Sequence, residues 1–89
     1  HIRSAYYLRL RVSDEKGVLA RVTRVLSDAG LSIATMIQHE EPESQSAVLL
    51  FTTHESHEAA ANKARSRLEQ LDAVIDPPFF LRIFNAPPM

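Results

Sequence analysis

The chain has 89 residues, a formal net charge of −1, 45% hydrophobic and 24% charged residues, and no cysteine. Its length is that of one domain, and its composition is that of an ordinary globular protein. The near-neutral charge argues against an electrostatic nucleic-acid binder, the lack of cysteine excludes disulfides and thiolate metal sites, and no apolar run approaches the ~18 residues of a membrane-spanning helix.

From the N-terminus, the chain opens at His1 without a cationic and apolar leader. It reads as a piece of a longer protein, with 1–4 a linker or cloning remnant, one domain over 5–84 and a frayed tail over 85–89. Tyr6, Leu8, Leu10 and Val12 alternate with Tyr7, Arg9 and Arg11, the period of a strand with one apolar face. Residues 13–16 are a polar turn. From Gly17 the period changes: Val18, Leu19, Val22, Val25, Leu26 and Ala29 fall on one helical stripe. Gly30 stands where a helix C-terminal glycine belongs.

Leu31, Ile33, Thr35 and Ile37 alternate with Ser32, Ala34, Met36 and Gln38, giving a second strand with Leu31, Ile33 and Ile37 on one face. Residues 40–46, with Pro42, read as a hairpin loop, and 47–53 as a third, largely apolar strand. Glu55 and Glu58 open a second helix, where acidic residues suit the dipole. Ala60, Ala61, Ala64, Leu68 and Leu71 form its buried stripe. A last strand runs over 74–84, interrupted by Pro77 and Pro78, which fit an edge position.

The order is βαββαβ, and its economical solution is an α+β ferredoxin-like sandwich: a four-stranded antiparallel sheet with two helices on one face. The uncovered face of such a sheet is polar in a monomer. Here Val48, Leu49, Leu50 and Phe51 follow in succession, as do Phe79, Phe80 and Leu81, so both faces carry apolar residues. The uncovered face or edge is therefore expected to meet another protein surface.

The first candidate site is the turn Asp14-Glu15-Lys16-Gly17 with Val18 and Leu19 behind it. A helix N-terminus offers free N–H groups and a positive dipole end to a carboxylate or phosphate, glycine allows close approach, and Asp14 can receive an ammonium. On the other reading, Ser13 or Asp14 caps the helix and Gly17 relieves the turn. His54 and His57 lack a third evident ligand for a metal, Glu40, Glu41 and Glu43 lack calcium-loop spacing, and Arg9 and Arg11 fit a salt bridge to a partner or an anion site and equally well simple alternation on a half-exposed sheet. Nothing proposes catalysis: no GxSxG, GxGxxG or P-loop is present, and the only glycines are Gly17 and Gly30. An RNA-recognition module shares the element order but needs exposed aromatics with basic residues on its central strands, and 47–53 offers only Phe51. An acylphosphatase-like enzyme needs a glycine-rich, arginine-bearing loop where this chain has Lys16-Gly17.

The DEKGVL turn opening the first helix, and DAGLSI leading into the second strand, resemble the ACT domain, a small regulatory module that senses amino acids. Lys16 stands where the ACT turn commonly has proline. The segments YYLRL, SIATMIQ, TTHE and PPFFLRI narrow the resemblance to the C-terminal ACT domain of bacterial homoserine dehydrogenases, over nearly the whole chain. That resemblance implies a cytoplasmic parent enzyme that interconverts aspartate semialdehyde and homoserine with NAD(P)H. The catalytic and nicotinamide-binding residues would lie outside this chain, which would itself hold no cofactor. It further implies feedback sensing, with threonine as effector, and a homodimer or oligomer built through ACT domains. The effector would lie between Asp14, Lys16, Gly17, Val18 and Leu19 of one copy and Leu31, Ser32 and Ile33 of another, the Val18 and Leu19 amides meeting its carboxylate. Ser32 stands where many ACT domains have asparagine, and Gln38 is a further polar candidate. A purely structural dimerisation domain, or an ACT domain of another enzyme of amino-acid metabolism, are the alternatives.

Overall fold

The computed structural model describes residues 3–83. β1 (Arg3–Ser13) leads through a turn into α1 (Val18–Ala29). β2 (Ile33–Glu41), a short 3-10 turn (Pro42–Ser44) and β3 (Ser46–Thr53) form a hairpin. The two-residue β4 (Ser56–His57) precedes α2 (Glu58–Glu69), and β5 (Phe79–Ile83) closes the sheet. All pairings are antiparallel: β3 lies between β2 and β1, and β5 pairs with the other side of the sheet's centre, β1. The expected βαββαβ sandwich is therefore present, with β4 added where Arg3 and Ser4 pair with His57 and Ser56. β1 thus begins two residues ahead of the expected domain start. Phe84 and the expected tail lie outside the described residues.

The period-two reading of β1 is met. Tyr6, Leu8, Leu10 and Val12 are buried, together with Ala47, Leu49 and Phe51 from the same face of β3. Val18, Val22 and Leu26 of α1 and Ala61, Ala64 and Leu68 of α2 join them in one core, so both helices lie on one face. Each fully buried Leu or Phe contributes about 1.5–3 kcal/mol of transfer free energy. Alanines on α2 let the helices approach closely: a Cβ built on Gly30 would stand 3.5 Å from the Ala60 Cβ. Gly30, at φ 101°, ends α1 by donating its N–H to the Leu26 and Ser27 carbonyls, as a left-handed C-terminal glycine does.

β2 departs from its expected pattern. Ile33 pairs with Thr53, but Thr35 pairs with Thr52, so Ala34 is an extra residue in the ladder. A bulge of this kind reverses which face the following side chains take. Ile33 faces the helices, whereas Thr35, Ile37 and His39 share the open face with Thr52, Leu50 and Val48. Leu31, Ile33 and Ile37 therefore do not share one face. The strand also continues through Glu40 and Glu41, which were expected in the loop. The hydrophobic pattern fades there because β2 is an edge strand and most of its residues are exposed.

The open face carries the apolar residues expected of it. Across the strands, Ile37, Leu50, Arg9 and Phe79 form one row, and Thr35, Thr52, Tyr7 and Leu81 the next. Ile37 is 61% exposed, Leu81 53% and Phe79 51%. The Tyr7 and Phe79 rings meet edge to face at 6.3 Å. The last strand is split as its prolines imply. Val74 makes only an isolated bridge to Val12, and β5 starts after Pro77 and Pro78.

Candidate functional site

The junction of β1 and α1 is built from backbone. The Asp14 N–H donates to the Gln45 carbonyl at 2.9 Å, tying the turn to the β2–β3 hairpin, and the Glu15 N–H donates to the Ser13 carbonyl at 2.9 Å. Gly17 then takes φ 85° and ψ −3° at the helix N-cap, with no side-chain cap. The expected Ser13 or Asp14 cap is therefore absent: a left-handed residue directs the chain into the helix instead. An L side chain is disfavoured there by about 1–2 kcal/mol, which is the physical need for glycine.

Capping by backbone leaves donors over. The Val18 N–H donates to the Glu15 carbonyl at 3.3 Å, and the Arg21 N–H to the Gly17 carbonyl at 3.1 Å. The Leu19 and Ala20 N–H groups find no acceptor among the described residues. Of the two amides expected to meet a carboxylate, Val18's is thus already engaged and Leu19's is open, with Ala20 beside it. Both open amides sit at the positive end of the α1 dipole.

A pocket of about 210 Å³ lies at this junction and brings together Asp14, Gly17, Val18 and Leu19 of the turn with Gln38 of β2. Ala47 and Leu49 of β3 complete its wall. Gln38 reaches it because the bulge at Ala34 puts Gln38 on the helix side of the sheet, opposite Leu49. Ser13 also lines the pocket, and its buried Oγ has no hydrogen-bond partner among the described residues. Sequence reasoning treated Ser13 only as a helix cap; an orphaned hydroxyl is visible only once the turn is folded.

The remaining candidates lie elsewhere. Lys16 is exposed on the turn, outside the pocket wall. Leu31 is buried, with its N–H on the Leu26 carbonyl, and the Ser32 carbonyl accepts the His54 N–H at 2.9 Å. Ile33 sits opposite Thr53, whereas the turn adjoins the Glu41–Ser46–Ser13 end of the sheet. Eight residue steps of strand run from Ile33 to Glu41, about 25 Å. Within one chain the turn and 31–33 therefore do not meet. Arg11 is held in ion pairs with Glu41 at 3.3 Å and Asp76 at 3.5 Å. No metal-binding cluster of three or more His, Asp or Glu occurs among the described residues, and no described helix is long and apolar enough to cross a membrane.

Chemically, the pocket offers the open Leu19 amide for a carboxylate, with the Ala20 amide next along α1, one carboxylate for an ammonium, and a carboxamide and a hydroxyl for a polar side chain. The family model of the ACT domain matches residues 6–73. A homoserine dehydrogenase of Helicobacter pylori is 39% identical over 84 residues, covering 94% of this chain and 20% of its own. One of Methylobacillus glycogenes is 46% identical over 74 residues, covering 82% and 18%. The crystal structure of a homoserine dehydrogenase from Thiobacillus denitrificans superposes with a TM-score of 0.80 at 38% identity, over 91% of this chain and 17% of that one. The chain thus spans about a fifth of the length of the relatives it matches. On the family model, the element order and the glycine-capped turn together, this chain belongs to the ACT domain family.

Proposed function

We propose that this chain is the amino-acid-sensing module of a homoserine dehydrogenase and that it binds threonine at the β1–α1 pocket for feedback inhibition. The single observation that carries the reading is the open Leu19 amide, followed on α1 by that of Ala20, in one pocket with Asp14 and Gln38. The effector carboxylate takes the amides, its ammonium takes Asp14, and its hydroxyl takes Gln38 or Ser13. Leu31, Ser32 and Ile33 reach this pocket only from a second copy, so the reading includes a homodimer. The exposed edge of β2 and the apolar open face are the surfaces on which a second copy or the rest of the parent would pack. The parent would interconvert aspartate semialdehyde and homoserine with NAD(P)H in the cytoplasm, its cofactor and catalytic groups lying outside this chain.

Thermal unfolding with and without millimolar threonine, with isoleucine, methionine and lysine as controls, tests the proposal. A ligand of the native state alone adds about 2.7 kcal/mol at a hundredfold excess over Kd. A rise in midpoint with threonine alone, lost in Asp14→Asn, is the expected result. No shift with any of the four favours a structural dimerisation domain. A shift with a different amino acid assigns the module to another enzyme of amino-acid metabolism.

A further inference from the structure

A second cleft lies between α2 and β5 and shares no lining residue with the β1–α1 pocket. Its volume is about 340 Å³, and Tyr6, Glu58, Asn62, Arg65, Phe80 and Arg82 line it. Tyr6 is 4% exposed, and its Oη has no hydrogen-bond partner among the described residues. A buried hydroxyl without a partner is uncommon in folded proteins and calls for an explanation. Arg82 donates to Glu58 at 3.3 Å, so those two charges offset one another. Arg65 has no carboxylate partner among the described residues. Its guanidinium is instead stacked 4.7 Å above the Phe80 ring and donates to the Asn62 Oδ1 at 3.2 Å. Among the described residues, the cleft thus holds a cation without a carboxylate partner, held by Phe80 and Asn62, together with an orphaned hydroxyl.

We propose that this cleft is a binding site for a small monocarboxylate. A planar guanidinium held over a ring presents its remaining N–H donors as a fork, which matches a carboxylate in two-point geometry. The Tyr6 hydroxyl supplies a third donor, satisfying a group left without a partner among the described residues. Glu58 at the rim opposes a dianion, which selects a carboxylate over a phosphate. The apolar part of the ligand rests on Ala61 and the Phe80 edge. The site is separate from the β1–α1 pocket and does not depend on the reading given to that pocket.

The test is a nuclear magnetic resonance titration of the 89-residue chain with butyrate, against butyramide as its neutral isostere and chloride as an ionic-strength control. Butyrate should give saturable shifts of the Arg65 Nε–Hε and Asn62 side-chain amide resonances. Tyr6→Phe and Arg65→Gln should each weaken that binding by about tenfold or more, the range of a hydrogen bond to a charged group. Tyr6→Phe keeps the ring, and the dispersion of its spectrum checks that the fold persists. Shifts that do not saturate, that butyramide or chloride reproduces, that survive both substitutions, or that fall only on residues 17–20 would overturn the proposal.

Discussion

Replacing Gly17 by alanine isolates the conformational demand of the β1–α1 turn. A Cβ built on Gly17 meets nothing within 4 Å, so the substitution creates no clash. The cost is the left-handed backbone alone, φ 85° and ψ −3°, about 1–2 kcal/mol for an L residue. A smaller unfolded-state entropy for alanine returns about 0.4–1 kcal/mol. The net expectation is a loss of about 1 kcal/mol, which lowers the midpoint by about 4–8 °C for a domain of this size. Urea and thermal unfolding at one fixed protein concentration measure it, because association would otherwise shift the midpoint. Gly17→Asn should recover part of the loss, since asparagine tolerates this region better than alanine. Gly30→Ala, at φ 101°, should cost a similar amount and leave the pocket unaltered. The reasoning fails if Gly17→Ala is neutral or stabilising, or if asparagine is no better than alanine.

Three further outcomes follow from the packing. The buried Tyr6 N–H donates to the Thr53 Oγ1 at 3.0 Å, so Thr53→Val, which removes the acceptor, should cost about 1–3 kcal/mol in urea unfolding, and Thr53→Ser much less. Phe51 is fully buried between the strands and the helices. Phe51→Ala should cost about 3–5 kcal/mol, a large share of the stability of so small a domain, and lose dispersed amide resonances at ambient temperature. Arg11 joins Glu41 and Asp76, but its side chain is 38% exposed, so Arg11→Ala should change stability by no more than about 1 kcal/mol, and less at high salt.

What the sequence made legible follows from where local chemistry is decisive. Alternation on β1 and the 3.6-residue stripe on α1 are read directly because each element has one face on the core. Gly17 and Gly30 stand out because only two glycines occur, and both take positive φ. β2 was misread for a definite reason. Counting by twos cannot detect the extra residue at Ala34, and every side chain beyond it changes face. The same bulge carries Gln38 into the pocket. β4 is too short to leave a periodic signal, and its existence depends on Arg3 and Ser4 being in the strand. The open Leu19 and Ala20 amides and the orphaned hydroxyls of Ser13 and Tyr6 are properties of three-dimensional accounting, which no spacing rule reveals. The distance between the turn and residues 31–33 likewise emerges only from strand direction.

The most direct test of amino-acid sensing is backbone amide chemical-shift mapping of the 89-residue chain titrated with threonine. Saturable shifts centred on the Leu19 and Ala20 amides and the Gln38 side chain, weakened in Asp14→Asn, are the result predicted here. If those amides stay fixed while threonine is raised through the millimolar range, or if shifts arise only away from the β1–α1 turn, the assignment of the effector to this pocket is contradicted.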